Sequence, residues 1–153
     1  MFNIKNSEFL VRQLDKSDLS NGFFDSLSNL SDVSGIDQLQ ALQLFALINS
    51  DPYHEIFVAV LDDGNVIGSI TILIEKKFIH NCGKVAHIED VVTRKGFEGK
   101  GIGSALVKKA VEFAATRGCY KVILDCSEEN AAFYQKNGFK RCGLLMRYDL
   151  LHN

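Results

Sequence analysis

The chain has 153 residues, a formal net charge of -2, 46% apolar and 24% charged side chains, values that suit one domain with a sizeable core. That charge excludes a general nucleic-acid binder, which needs a basic face. No apolar run approaches the length of a membrane span and no secretory leader is visible, so the expected protein is soluble and cytoplasmic, with no membrane partner.

Phe9 to Leu14 reads as a first strand. Asp15 or Ser17 then caps a helix in which Leu19, Phe23, Leu27 and Leu30 recur at helical spacing. Ser31 to Gly35 is a loop. Asp37 caps a second helix whose apolar side is Leu39, Leu42, Phe45, Ala46 and Ile48, and Asp51-Pro52 stops it. Ile56 to Leu61 is a continuous apolar strand. Asp62-Asp63-Gly64-Asn65 is a hairpin turn, and Val66 to Ile74 returns as the next strand. Lys76 to Gly83 is a polar loop that carries Phe78 and Ile79. Val85 to Thr93 is the strand before a glycine-rich stretch.

That stretch, Phe97-Glu98-Gly99-Lys100-Gly101-Ile102-Gly103-Ser104, organises the chain. An amphipathic helix follows it to Arg117, with Ile102, Leu106, Ala110, Phe113 and Ala114 on one face and Gly118 as C-cap. Strand, glycine loop and helix in that order favour an anion, since glycine lets a ligand approach the backbone and the first N–H groups of the helix face outward; the bare spacing is equally that of a structural turn before a helix. The Gly-Lys-Ser/Thr ending of a P-loop is missing. A dinucleotide fold would carry such a loop in its opening strand–loop–helix unit, not after several strands. Lys121 to Asp125 is a further short strand, Asn130 to Asn137 a short helix ended by Gly138, and Leu144 to Leu150 a last strand. The antiparallel meander and the later βαβ step predict an α/β domain over 1–153, a mixed central sheet flanked by helices. Cys82, Cys119, Cys126 and Cys142 form no C-x-x-C pair and read as thiols in a reducing compartment; no metal is expected.

The glycine loop resembles the pyrophosphate loop of the GNAT acetyltransferases, whose Gln/Arg-x-x-Gly-x-Gly/Ala pattern falls on Glu98, Gly101 and Gly103. Glu98 departs from it, and a carboxylate near phosphates must turn outward. His87-Ile88-Glu89-Asp90-Val91-Val92, the loop, Gly118 to Cys126, Asn130, Phe133-Tyr134 and Gly138-Phe139 follow in one order. Together they resemble the glucosamine-6-phosphate N-acetyltransferase family within GNAT. The resemblance implies acetyl transfer from acetyl-CoA to the amine of glucosamine 6-phosphate, for UDP-N-acetylglucosamine synthesis, by a homodimer whose C-terminal strands contact the partner.

For acetyl-CoA, the resemblance implies that Val91, Val92 and Thr93 pair with the pantetheine arm. It assigns the pyrophosphate to Gly99, Lys100, Gly101, Ile102, Gly103 and Ser104, with Asn130, Tyr134, Gln135 and Lys136 completing the coenzyme site. Tyr134 is the candidate acid for the departing thiolate; without the resemblance it reads as a core aromatic beside Phe133. Consecutive strand residues face opposite sides, so only one of Glu89 and Asp90 can face a given pocket. The resemblance puts Glu89 at the sugar amine as acceptor or base and makes Asp125 a second acid there; by itself Asp125 is equally a cap or turn residue. Ser31, Lys77, Phe78, Ile79, His80, Asp90, Val91, Tyr120 and Lys121 fall at substrate positions of the family. Arg147 is a looser candidate for the phosphate, because Asp149 falls where the terminal arginine is expected. His87 is read as structural.

Two alternatives remain at this level: a GNAT enzyme for another amine, such as a polyamine, an antibiotic or a protein N-terminus, and an acetyl-CoA sensor without turnover. The basic set around Lys77 and Lys121 argues against a cationic acceptor. Tyr134, Glu89 and Asp125 together argue against a sensor.

Overall fold

A computed structural model describes residues 8–151; the ends of the expected 1–153 domain lie outside the described residues. The elements are β1 (Phe9–Gln13), a 3-10 turn (Lys16–Ser20), α1 (Phe23–Leu27), α2 (Gln38–Ser50), β2 (His54–Leu61) and β3 (Val66–Lys76). Then come α3 (Ile79–Cys82), β4 (Lys84–Thr93), α4 (Ile102–Thr116), β5 (Cys119–Leu124) and α5 (Glu128–Lys136). The strands lie in the order β1-β2-β3-β4-β5. The first four are antiparallel and β5 joins β4 in parallel, so the sheet is mixed as expected.

The central strands are apolar almost throughout because helices cover both faces of the sheet there. On one side Ile67, Ile70, Ile72 and Ile88 pack against Ile102, Leu106, Val107 and Ala110 of α4. On the other, Val58, Val60 and Val66 pack against Phe23 of α1. The α4 face agrees with its spacing, with Val107 as a buried addition.

The first expected helix is two pieces. Asp15 caps the 3-10 turn by accepting from Ser17 N–H. Gly22, at φ +96°, then breaks the path before α1, and a Cβ there would strike Asn65 and Val66. Asp18 is buried in this corner, with Arg12 Nη1 and Nη2 on its carboxylate at 2.7 and 2.9 Å.

The second helix starts at Asp37, whose carboxylate accepts from Gln40 N–H, but its expected apolar side is only partly covered. Ala41 is buried and Leu42, Phe45 and Ile48 are half-buried, while Leu39 is 62% exposed and Ala46 is exposed too. Periodicity there is not matched by a facing surface. The expected last strand is also absent: Leu144 to Leu150 pairs with no strand among the described residues, and Leu144, Met146 and Leu150 are almost fully exposed. An alternating apolar segment becomes a strand only where a sheet edge meets it.

Candidate active site

The site starts where two strands part. The parallel ladder runs from Lys84 opposite Cys119 to Ile88 opposite Leu124 and stops. β4 continues to Thr93, paired only with β3. The backbone of Glu89 to Thr93 on the β5 side is therefore left without a strand partner, an edge that an extended ligand can pair with.

A β-bulge sits at the same place. Glu89 lies opposite Thr71 and Val92 opposite Ser69, so Asp90 and Val91 together face Ile70. Asp90 has φ +49°, a left-handed conformation rare outside glycine. The bulge interrupts the alternation from Asp90 to Val91, and Glu89 and Asp90 are both exposed. Asp125 directly follows Leu124, so it stands across the split from Glu89. Desolvation pushes the Glu89 carboxyl above its ordinary range, and the charges of Asp125 and Asp90 push the same way, while His87 opposes them. A carboxylate whose proton affinity is raised is a better base.

The glycine loop opens beside this split. Gly96, Gly99 and Gly101 have φ of +93°, +74° and +81°, and nothing lies within 4 Å of where their Cβ atoms would be. Gly101 is the N-cap of α4 and no side chain caps that helix start, so its first N–H groups are on offer. Glu98 does not take them: its Oε2 accepts from Gly96 N–H at 2.8 Å, within the loop's own turn. The side chains of Val92 and Ile102 are in the core, so these two present only backbone to a ligand. Gly103 passes close to Phe133 of α5, where a Cβ would come to 3.1 Å of the ring.

Helix α5 carries Tyr134 to the same region. Its ring packs edge-on against Phe133 and Phe139 at 5.0 and 6.0 Å, beside the cluster that Val91 and Leu124 also join. Burial pushes the Tyr134 hydroxyl above its ordinary range, and Cys126 adds to this. The hydroxyl therefore keeps its proton through neutral pH. Asn130, Gln135 and Lys136 are exposed on α5. The link from α5 to α4 is instead made by Asn137, whose Nδ2 reaches Ser104 Oγ at 3.3 Å.

A basic group gathers at the other end of β4. The ring centroids of His80 and Tyr120 are 4.1 Å apart, and Lys121 Nζ lies 5.6 Å from the Tyr120 centroid. His80, Asn81 and Cys82 have left-handed φ of 51°, 55° and 57°, so the expected loop is one tight turn that holds His80 against Tyr120. Phe78, 94% exposed, and Ile79 stand at its tip. Lys77, Phe78 and Cys82 line a cleft with Tyr53, Lys76 and Lys84. Lys77 is not free: its Nζ lies 3.2 Å from Glu75 Oε1. Arg147 is likewise held, by Asp149 at 2.9 Å.

Ser31 lies in the turn after α1. Asn29, two residues before it, accepts from Lys95 N–H at the entrance to the glycine loop. Glu75, beyond the expected end of its strand at Ile74, joins the face that His87 and Glu89 share only through the register of β3 on β4. Among the described residues, no cluster of His, Cys, Asp and Glu forms a metal-binding group.

The model of the acetyltransferase (GNAT) family matches residues 20–139. A glucosamine 6-phosphate N-acetyltransferase of Candida albicans is 39% identical over 140 residues, 90% of this chain and 93% of the relative. One of Arabidopsis thaliana is 36% identical over 140 residues, 90% and 94% of the two chains. The crystal structure of glucosamine-6-phosphate N-acetyltransferase from Arabidopsis thaliana superposes with a TM-score of 0.90 at 36% identity, covering 94% of this chain and 99% of that one.

Proposed function

The chain belongs to the GNAT acetyltransferase family, and we infer that it transfers the acetyl group of acetyl-CoA to the amine of glucosamine 6-phosphate, giving N-acetylglucosamine 6-phosphate and CoA. The observation that carries this reading is the split beyond Ile88 and Leu124, with Glu89 and Asp125 at its mouth and the uncapped glycine loop beside it.

In this reading the pantetheine arm lies along the free edge of Val91 to Thr93, as a further strand would. The pyrophosphate takes the N–H groups of Gly99 to Ser104. Asn130, Tyr134, Gln135 and Lys136 complete the coenzyme side from α5. The sugar amine stands between Glu89, Asp90 and Asp125. Glu89 takes a proton from the amine, directly or through water, as the nitrogen attacks the thioester carbonyl. A free N–H of β4 stabilises the oxyanion, the C–S bond breaks, and the Tyr134 hydroxyl protonates the leaving thiolate. Lys77, His80, Tyr120 and Lys121 meet the phosphate, with Phe78 and Ile79 on the wall beside them and Ser31 as a further polar contact.

We also propose a homodimer. Leu144, Leu145 and Met146 are exposed at 91, 66 and 85%, in a segment with no strand partner among the described residues. A second copy that pairs with this segment would bury them. The free cysteines, Cys82, Cys119, Cys126 and Cys142, support a place in the reducing cytoplasm. The test of the reaction is an acceptor screen with acetyl-CoA that follows free thiol. Glucosamine 6-phosphate should be the best acceptor, ahead of plain glucosamine, polyamines and peptide amines.

A further inference from the structure

The open face of β3 and β4 carries a pair that the reaction above does not use. Leu73 lies opposite His87, so Glu75 is the diagonal neighbour of His87 across the strands. His87 Nε2 lies 3.0 Å from Glu75 Oε1, the same oxygen that Lys77 Nζ approaches at 3.2 Å. Glu89 is two residues beyond His87 on β4 and on the same side, about 6–7 Å along the strand. The ring of His87 is thus fixed between Glu75 and the base.

The charges around this line come from three strands. β3 supplies Glu75, Lys77 follows its end, and Thr71 opposite Glu89 is neutral. β4 supplies His87, Glu89 and the bulged Asp90. β5 sets uncharged Ile123 opposite His87 and Lys121 opposite Val85, and Asp125 follows its end. Of the groups that influence Glu89, Asp125 and Asp90 favour its protonation and His87 alone opposes it. Hydrogen bonds from His87 and then Lys77 hold the Glu75 carboxyl below its ordinary range, so Glu75 stays ionised while Glu89 titrates.

We propose that Glu75 and His87 form a positioning pair for Glu89, in which Glu75 fixes the His87 ring so that its protonated form sets a positive charge beside the base. A positive charge on this ring opposes protonation of Glu89, against the push of Asp125 and Asp90. The pair then keeps Glu89 ionised, and able to accept the amine proton, to lower pH than two neighbouring carboxylates would allow. This rests on the reading of Glu89 as base.

The test is titration of the Glu89 side-chain carboxyl by carbon NMR in wild type, His87→Gln and His87→Arg, with the signal assigned by its loss in Glu89→Gln. The pH profile of acceptor kcat/KM is measured in parallel. Removing one charge at this spacing should raise the Glu89 midpoint by about half a pH unit in His87→Gln. The acidic limb of the profile should move up with it, and the KM for acetyl-CoA should stay put. His87→Arg, which keeps a positive charge, should return both midpoints to within a small fraction of that shift. An unmoved Glu89 midpoint in His87→Gln, or an equal rise in His87→Arg, overturns the proposal. The NMR midpoint is read without substrate, so failure to acetylate glucosamine 6-phosphate would overturn the assigned reaction and leave the pair to be judged by titration.

Discussion

Glu89 and Asp125 are the residues that follow the last rung of the parallel ladder, Ile88 opposite Leu124, so they flank the mouth of the split, close enough for the charge of one to act on the other. Desolvation and then the Asp125 charge raise the proton affinity of Glu89. A base works only when ionised, so acceptor kcat/KM should fall on the acid side through a midpoint above the ordinary carboxyl range. Asp125→Asn removes a negative charge that favours protonated Glu89. Its acidic limb should therefore move to lower pH, whatever happens to the plateau. A limb that stays in place or moves up would remove the electrostatic coupling.

Glu89→Gln should separate stability from activity. A carboxyl whose folded affinity is raised adds stability below its unfolded midpoint, and that stability is lost as pH rises through the folded midpoint. At neutral pH the ionised Glu89 thus works against the fold. The amide should leave Tm unchanged or slightly higher at neutral pH while kcat falls by about 10²–10⁴, the span of general-base effects. Calorimetry and steady-state rates on one preparation check both.

Tyr134→Phe keeps the ring that packs on Phe133 and Phe139 and removes only the hydroxyl. Turnover should drop while acetyl-CoA affinity, read by calorimetric titration, stays within a few-fold. Because the hydroxyl is held above its ordinary range, Tyr134 should impose no loss of activity between pH 7 and 9. Wild-type turnover in the variant across the whole pH range would make Tyr134 a packing residue.

Phosphate recognition should depend on Lys77, and its salt bridge to Glu75 tempers the effect. The ammonium lies 3.2 Å from Glu75 Oε1, so a phosphate must compete with that carboxylate. Losing one charge-assisted hydrogen bond is worth roughly tenfold to a hundredfold, and the competition places Lys77→Ala toward the low end. The variant should raise KM for glucosamine 6-phosphate, spare KM for acetyl-CoA and narrow the preference over glucosamine. Added salt should shrink the difference between variant and wild type. An unchanged preference would shift the phosphate to Lys121, His80 or a partner chain.

Much of this was legible in the residues, for separable reasons. Ile102, Leu106 and Ala110 repeat at helical spacing because one face of α4 meets the sheet, and the pattern carries that directly. The bulge at Asp90 was not legible, because it exists only in the register between β3 and β4. Strict alternation placed Glu89 and Asp90 on an unbroken strand and gave no sign of the left-handed turn at Asp90. Leu39 on α2 and Leu144 to Leu150 failed for a common reason. Each has the right periodicity, but periodicity does not name the surface that answers it, and none of the described residues does so. The left-handed turn of His80 to Cys82 contains no glycine, so composition gave no sign of the stack between His80 and Tyr120.

The exposed tail leads to a prediction about assembly. Sedimentation at micromolar concentration should show a dimer, and Leu144→Asp with Met146→Asp should shift it toward monomer. Wild type that sediments only as monomer would remove the partner chain from the account of the tail.

The central claim is the reaction itself, and thiol release from acetyl-CoA in the presence of single acceptors tests it most directly. The account predicts rapid release with glucosamine 6-phosphate, much slower release with glucosamine, and N-acetylglucosamine 6-phosphate as product by mass spectrometry. Equal rates with both sugars, or a faster rate with a polyamine or peptide amine, would contradict it.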